Sequence, residues 1–248
     1  MFERAMNCDA SDERSHVVGI IQSNYIPWKG YFDFIASVDE FVLLDEVQYT
    51  RRDWRNRNRI KTQNGLQWLT IPVDVKGKYL QRIDETRIAD EGWIDSHLAA
   101  IRHAYGRAAS FRSVWPWLED VYGSLRGKLL LSDINEVLIR AMCERLRIHT
   151  PIRRSTDFPS TNGKNERLIQ ICRELGATTY VSGPAARGYL DESQWAESGI
   201  RVRFKTYDGY AEYEQLYPPF ENGVSIVDVL LHTGDDAPAF IRQLQEHR

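Results

Sequence analysis

Cysteine, methionine and histidine are scarce in these 248 residues, at 3, 3 and 6, and no apolar run is long. Cys8, Cys143 and Cys172 are an odd set without metal-ligand spacing, which argues against a disulfide framework and against a structural zinc site. Cys143 and Cys172 fall in helical apolar patterns, so they are expected to be reduced thiols of a cytosolic protein. The histidines do no better as ligands. His97 and His103 stand six positions apart, a poor spacing for one helix face, and His149 and His232 have no companion nearby. No metal is expected and no cofactor is indicated, although His232 remains a base candidate.

No apolar run approaches the ~20 residues of a membrane span. Met1 to His16 is polar and carries acids, so it lacks a signal-peptide core and is expected to form a flexible tail. Charge of neither sign is in excess: the formal net charge is -3 and the isoelectric point near 6.1. That balance disfavours general affinity for nucleic acid and points instead to local sites.

Against this balance, Gln48 to Lys61 holds six basic residues in fourteen positions: Arg51, Arg52, Arg55, Arg57, Arg59 and Lys61. Trp54, Asn56 and Asn58 are interleaved with them, beside Gln48 and Tyr49. Guanidinium forks, amides and an indole face suit phosphate, carboxylate or a flat polar ring. A solvated charged loop is the plain alternative. Strand alternation from Arg55 places Arg55, Arg57, Arg59 and Lys61 on one face.

The cluster follows a βαβ opening. Val17 to Ile21 is a short, continuous β-branched run, as for a strand buried on both faces. A helix from Trp28 to Ala36 and a strand from Phe41 to Leu44 complete a parallel unit. Gln67 to Val73 is strand-like after the Asn64-Gly65 hairpin signal, and Pro72 suggests an edge. Periodic apolar residues from Asp90 to Leu146 predict about three helices, the clearest over Asp133 to Leu146. Helix Asn165 to Leu175, strand Tyr180 to Ser182, helix Gln194 to Ser198, strand Ile200 to Phe204 and a helix opened by Ser225 and Asp228 resume the alternation. The prediction is a Rossmann-like, three-layer α/β fold with a mainly parallel sheet: one domain over residues 17–248 with a helical insertion about 90–147.

Three further loops share the expected carboxyl edge of that sheet. In the first, Gln22, Asn24, Tyr25, Trp28, Lys29, Gly30 and Tyr31 form a polar elbow, where Gly30 leaves a ligand room to approach the backbone. The second is Gly163-Lys164 before a helix, too short for a P-loop. The third is Ser182-Gly183-Pro184 with Arg187 and Tyr189, which lacks the G-x-S-x-G elbow of a serine nucleophile. Each is also readable as an ordinary turn. Asp45, at the end of the second strand, is a candidate general base and Lys29 a second catalytic candidate.

The same residues carry a resemblance. Gln22-Ser23-Asn24-Tyr25-Ile26-Pro27-Trp28-Lys29-Gly30-Tyr31-Phe32, the stretch from Asp45 through Gln48-Tyr49 to Ile60-Lys61, and Tyr180-x-Ser182-Gly183-Pro184-Ala185-Ala186 resemble the WbqC-like protein family, over about Val17 to Gly234. His232 stands where the family pattern carries an Asn or similar residue. The resemblance implies a cytosolic enzyme of bacterial O-antigen and related surface-polysaccharide biosynthesis, acting on a nucleotide-activated sugar, for example by acyl or aminoacyl transfer. It implies no agreed set of catalytic residues. A weaker likeness ties the Pro27 to Tyr31 turn to nucleotidylyltransferases with a His-x-Gly-His signature, both of whose histidines are missing here. The rival from another class is a non-catalytic binder of a sugar nucleotide or a single strand of nucleic acid.

Overall fold

The computed structural model describes residues 15–188 and 190–242. Most of the predicted tail, with Cys8, and Tyr189 lie outside the described residues. β1 (Val17–Ile21), α1 (Lys29–Ala36) and β2 (Glu40–Leu43) form the expected parallel unit. β1 is paired on both sides, Gly19 facing Phe41 of β2 on one flank and Val181 of β6 (Thr179–Ser182) on the other. β5 (Ile152–Arg154) extends the sheet beyond β2, and β7 (Arg201–Phe204) closes it beyond β6. The order is β5-β2-β1-β6-β7, and every pair is parallel.

Alternation along the central strands feeds two cores. Val18, Ile20, Val42 and Leu44 pack with α5 (Lys164–Glu174) and α6 (Glu192–Ser198). Phe41, Leu43, Ile152 and Val181 pack on the other face with α1, α2 (Trp93–Tyr105), α3 (Phe111–Gly123), α4 (Leu131–Arg145) and α7 (Ile226–Thr233). The sheet therefore carries helices on both faces, as the α/β prediction requires. Cys143 and Cys172 are buried, and burial pushes each thiol up to about 12.

Two elements depart from the sequence reading. β5 is a strand although only Ile152 of its three residues is apolar; its pairing with β2 and the Arg153–Glu40 contact at 2.5 Å hold it. The basic cluster is a strand from Arg57 on, two residues later than the alternation read from Arg55. Its second half is β3 (Arg57–Thr62), which turns at Asn64-Gly65 and pairs antiparallel with β4 (Gly65–Thr70). The strand predicted over Gln67 to Val73 thus begins and ends earlier, and Pro72 lies outside it.

Because all five strands run the same way, the segments after Ile21, Leu43, Arg154, Ser182 and Phe204 meet at one edge. The chain leaves β1 toward β2 and β5 but enters β6 toward β7, so the strand order reverses between β1 and β6. In open α/β sheets, ligands bind outside the carboxyl ends at such a point. The elbow after β1 occupies it.

Candidate ligand site at the carboxyl edge

A cavity of about 270 Å³ opens beside the elbow, lined by Asn24, Pro27, Trp28, Trp54, Asn58, Arg59 and Gly223. The elbow is a forced shape. Ile26 sits at φ 34°, in the left-handed region that a β-branched residue avoids. Asn58 holds it there, its Nδ2 donating to the Tyr25 carbonyl at 3.1 Å and to that of Ile26 at 2.8 Å. Asn58 Oδ1 accepts the Arg59 N–H at 2.8 Å, so this amide is fully used by the protein. Tyr25 N–H in turn bonds the Trp54 carbonyl at 3.0 Å, which fixes the indole-bearing loop against the elbow.

The remaining polar groups on the cavity are donors. Asn24 Oδ1 accepts from Arg55, and the Asn24 NH₂ has no acceptor among the described residues. The Gly223 carbonyl is taken by Arg59 Nη2 at 3.0 Å. The Arg59 Nε–H is buried and finds no acceptor among the described residues; the same holds for the Nε–H of Arg57, which lies off the cavity over Trp68. Among those residues Arg57, Arg59 and Lys61 also make no ion pair within 4.0 Å. Glu221 is the acid on that side, and its Oε1 is occupied by the Gly223 N–H at 2.9 Å.

The hairpin register explains the grouping. Arg59 is opposite Trp68 and Lys61 opposite Leu66, while Asn58 is opposite the buried Leu69. One face thus goes to the core, and the other carries cations and exposed aromatics. Trp54 and Trp68, 39% and 42% exposed, lie 5.3 Å apart between centroids; Arg57 sits 4.1 Å over Trp68 and Arg59 5.6 Å from Trp54. Of the four cations expected on one face, Arg57 and Arg59 lie there; Arg55 precedes β3 and turns to Asn24 and Asp53, and Lys61 is covered, its Nζ donating to Gln215 Oε1 at 2.7 Å and to the Pro219 carbonyl.

Lys29 is covered as well. It is 1% exposed, donates to the Ala211 carbonyl at 3.0 Å, and lies 5.1, 5.5 and 5.5 Å from the ring centroids of Tyr210, Tyr213 and Phe220. Burial lowers the Lys29 amine to about 8 against the opposing pull of Asp228 and Glu212. Ala211, Glu212 and the three rings belong to residues 205–223, a strap without helix or strand. Tyr213 and Gln215 of the strap and Tyr105 bond the buried Asp228 at 2.6, 2.9 and 2.8 Å. His232 is consumed by the same network, its Nδ1 on the Asp228 carbonyl at 2.7 Å and its Nε2 accepting the Leu216 N–H at 3.1 Å. With both nitrogens engaged it has no free base position.

Asp45 does not line the cavity. It is 7% exposed and accepts the Ser23 N–H at 2.8 Å; Asn135 ties the same spot to Ser23 Oγ at 3.0 Å and the Arg55 carbonyl at 2.9 Å. Burial raises its carboxyl, opposed by the Ser23 hydrogen bonds and the charge of Arg55. Gly30 does not open the backbone to a ligand. The Trp28 indole fills that space, and a Cβ on Gly30 would fall 2.3 Å from the ring. Gly30→Ala is accordingly expected to cost about 2 kcal/mol, read as a lower urea midpoint, because the indole that lines the cavity must move.

The other predicted residues are dispersed. The Gln22 carbonyl accepts the Tyr31 hydroxyl at 3.0 Å. Gln48 is exposed and donates to the Tyr79 carbonyl at 2.9 Å, Tyr49 is buried, and Arg51 bonds the Val75 carbonyl at 2.8 Å. Exposed Arg52 adopts φ 60°, and Asn56 donates to the Ile71 carbonyl at 2.8 Å. Lys164 opens α5 in an exposed position, Ser182 is buried against the Tyr180 hydroxyl at 3.1 Å, Gly183 and Pro184 lead into a short 3₁₀ turn, and Arg187 lies 4.1 Å over Phe204. None of these lines the cavity. Gly223 and the strap were not foreseen. Their signal is the spacing of Tyr207, Tyr210, Tyr213 and Tyr217, aromatics too regular for a plain loop.

Fold and site define an α/β protein with a donor-rich, aromatic cavity at the carboxyl edge of a parallel sheet. The chain belongs to the WbqC-like protein family, whose model matches residues 22–240. It is similar to the uncharacterized protein Rv1507c of Mycobacterium tuberculosis (strain ATCC 25618 / H37Rv), with 48% identity over 229 residues that cover 92% of this chain and 99% of that protein. No solved structure matches. Among the described residues no helix is long and apolar enough to cross a membrane, and no cluster of three or more His, Cys, Asp or Glu side chains suits a metal ion.

Proposed function

We propose that the chain is a cytoplasmic transferase of bacterial surface-polysaccharide biosynthesis that acts on a nucleotide-activated amino sugar by acyl or aminoacyl transfer. The observation that carries this reading is the pair of buried, acceptor-less Nε–H groups on Arg57 and Arg59 beside two exposed indoles. An unsatisfied buried donor costs about 1–3 kcal/mol, and an anionic ligand relieves it. Phosphate supplies the charge, and a base or sugar ring supplies the flat face for Trp54 or Trp28. At about 270 Å³ the cavity suits part of such a ligand, the remainder lying along the open hairpin face. In the transfer, the sugar amine bonds to the donor acyl carbon, the donor's carrier leaves with the electron pair, and the amine proton passes to a base, for which Asp45 is the candidate.

Calorimetric titration with a panel of nucleotide sugars tests the binding half. Arg59→Ala is expected to weaken the bound member by about 10- to 100-fold, the worth of a charge-assisted hydrogen bond. No binding by any member, or no effect of Arg59→Ala, rejects the reading. Mass spectrometry of the bound nucleotide sugar incubated with acyl and aminoacyl donors tests the chemistry. One observation favours a binder without chemistry: neither Asp45 nor Lys29 lines the cavity. Tight binding with no donor consumed decides for that alternative, and unchanged turnover in Asp45→Asn removes Asp45 from the mechanism.

A further inference from the structure

A second cavity, of about 490 Å³, lies along β7 and shares no lining residue with the first. Its walls come from the turn after β6, from α6 and from β7, with Trp195, Ile200, Val202 and Phe204 supplying apolar surface. β7 is the last strand of the sheet, so no described strand covers its outer flank. The wall is preformed. Trp195 stacks on Tyr180 at 4.7 Å between centroids and 7° between planes, and its Nε1 donates to Asn165 Oδ1 at 3.2 Å.

The charges on this cavity are asymmetric. Arg187 lies over the Phe204 ring at 4.1 Å, at the carboxyl end of β7, and makes no ion pair within 4.0 Å among the described residues. Arg201 stands at the opposite, amino end of the strand, and Glu192 is the acid on the rim. Two cations against one carboxylate leave the lining net positive. One flank of the Arg187 guanidinium is shielded from water by Phe204, so a counter-ion there gains more than at a bare surface. Between the two ends, β7 spans about 10 Å of mostly apolar wall.

We propose that this cavity binds a small carboxylic acid with an apolar body, of medium-chain acyl or aryl type. The carboxylate pairs with Arg187 and the body lies along Val202 toward Ile200. The assignment is independent of the sugar-nucleotide reading, because the two cavities have no residue in common. Charge complementarity selects an acid over an amine, and the short apolar wall of a four-residue strand selects a compact body over an extended peptide.

The test uses the full chain and the fluorescence of 8-anilinonaphthalene-1-sulfonate, an aryl sulfonate of the same design, displaced by octanoate, octan-1-ol, octylamine or an acidic pentapeptide. Octanoate is expected to displace the probe about 10-fold more effectively than octan-1-ol, and octylamine not at all. Arg187→Met is expected to erase the octanoate preference while leaving octan-1-ol unchanged. Ala196→Trp, at an exposed position on the cavity wall, is expected to abolish probe binding without unfolding the protein, as circular dichroism checks. Equal displacement by octylamine, probe binding that survives Ala196→Trp, or displacement by the peptide but not octanoate would overturn the proposal, the last assigning the strand edge to peptides.

Discussion

Between pH 6.5 and pH 4 the fold is expected to lose about 3 kcal/mol of stability through one side chain, His97. Burial lowers the His97 imidazole from 6.5 to about 4. Below 6.5 the unfolded chain takes up a proton that the native protein refuses, so stability falls with pH until the native histidine also titrates near 4. The geometry explains the refusal. His97 Nε2 donates to the Thr70 carbonyl at 3.2 Å, and Nδ1 accepts from the Tyr25 hydroxyl at 2.8 Å, which in turn meets the Tyr122 hydroxyl at 2.6 Å. A proton on Nδ1 reverses that relay and strands the Tyr122 hydrogen in the core, where Tyr25 and Tyr122 are fully buried. Urea midpoints of the protein and of His97→Gln at pH 7 and pH 4.5 measure the effect. The variant is expected to start less stable and to change less with acid; parallel losses in both proteins would remove His97 as the cause.

Much of this architecture was readable because buried parallel strands leave a plain mark. Val17 to Ile21 and Phe41 to Leu44 are apolar at nearly every position, since each faces a core on both sides. Arg153 and Arg154 hide β5, whose apolar face is a single residue, and only pairing with β2 makes it a strand. Alternation placed Arg57 and Arg59 together, yet residue type alone could not separate an amide bordering the cavity from one spent on structure. Asn24 and Asn58 look alike in the chain. The NH₂ of one has no acceptor among the described residues, and the other is spent clamping Ile26. Distance along the chain hid the rest: Lys29 and Lys61 read as site residues facing a ligand, yet residues 205–223, more than 140 positions later, fold over both.

That strap makes the two lysines comparable with Arg57 and Arg59 of the hairpin. Arg57 and Arg59 leave donors unmet, whereas Lys29 and Lys61 give theirs to strap carbonyls and an amide oxygen, the weakest counter-groups for a buried ammonium. Four cations gathered at one sheet edge, none in an ion pair within 4.0 Å among the described residues, is a costly arrangement for a protein of net charge -3. The anionic ligand proposed above offsets part of that cost.

Lys29→Met is therefore expected to raise stability at neutral pH by about 1–2 kcal/mol while abolishing the proposed transfer. The native Lys29 ammonium releases its proton near 8, the unfolded one near 10.5. The unfolded chain holds the extra proton between these values, so stability rises with pH through that window, and at pH 7 the charge costs about 3 kcal/mol. Methionine removes that cost and keeps the stem's packing against Tyr210, Tyr213 and Phe220, but it leaves the Ala211 carbonyl without its donor, which returns about 1–2 kcal/mol. Urea midpoints at pH 7 and pH 10.5 separate a functional lysine from an anchor of the strap. In the functional case the variant is the more stable protein at pH 7, the difference shrinks by pH 10.5, and the mass-spectrometric assay finds no product. An anchor gives the opposite: a less stable variant at both pH values, with transfer surviving wherever the strap still closes. A buried ammonium that destabilises the fold that holds it needs a reason outside the fold, and the proposed transfer supplies one.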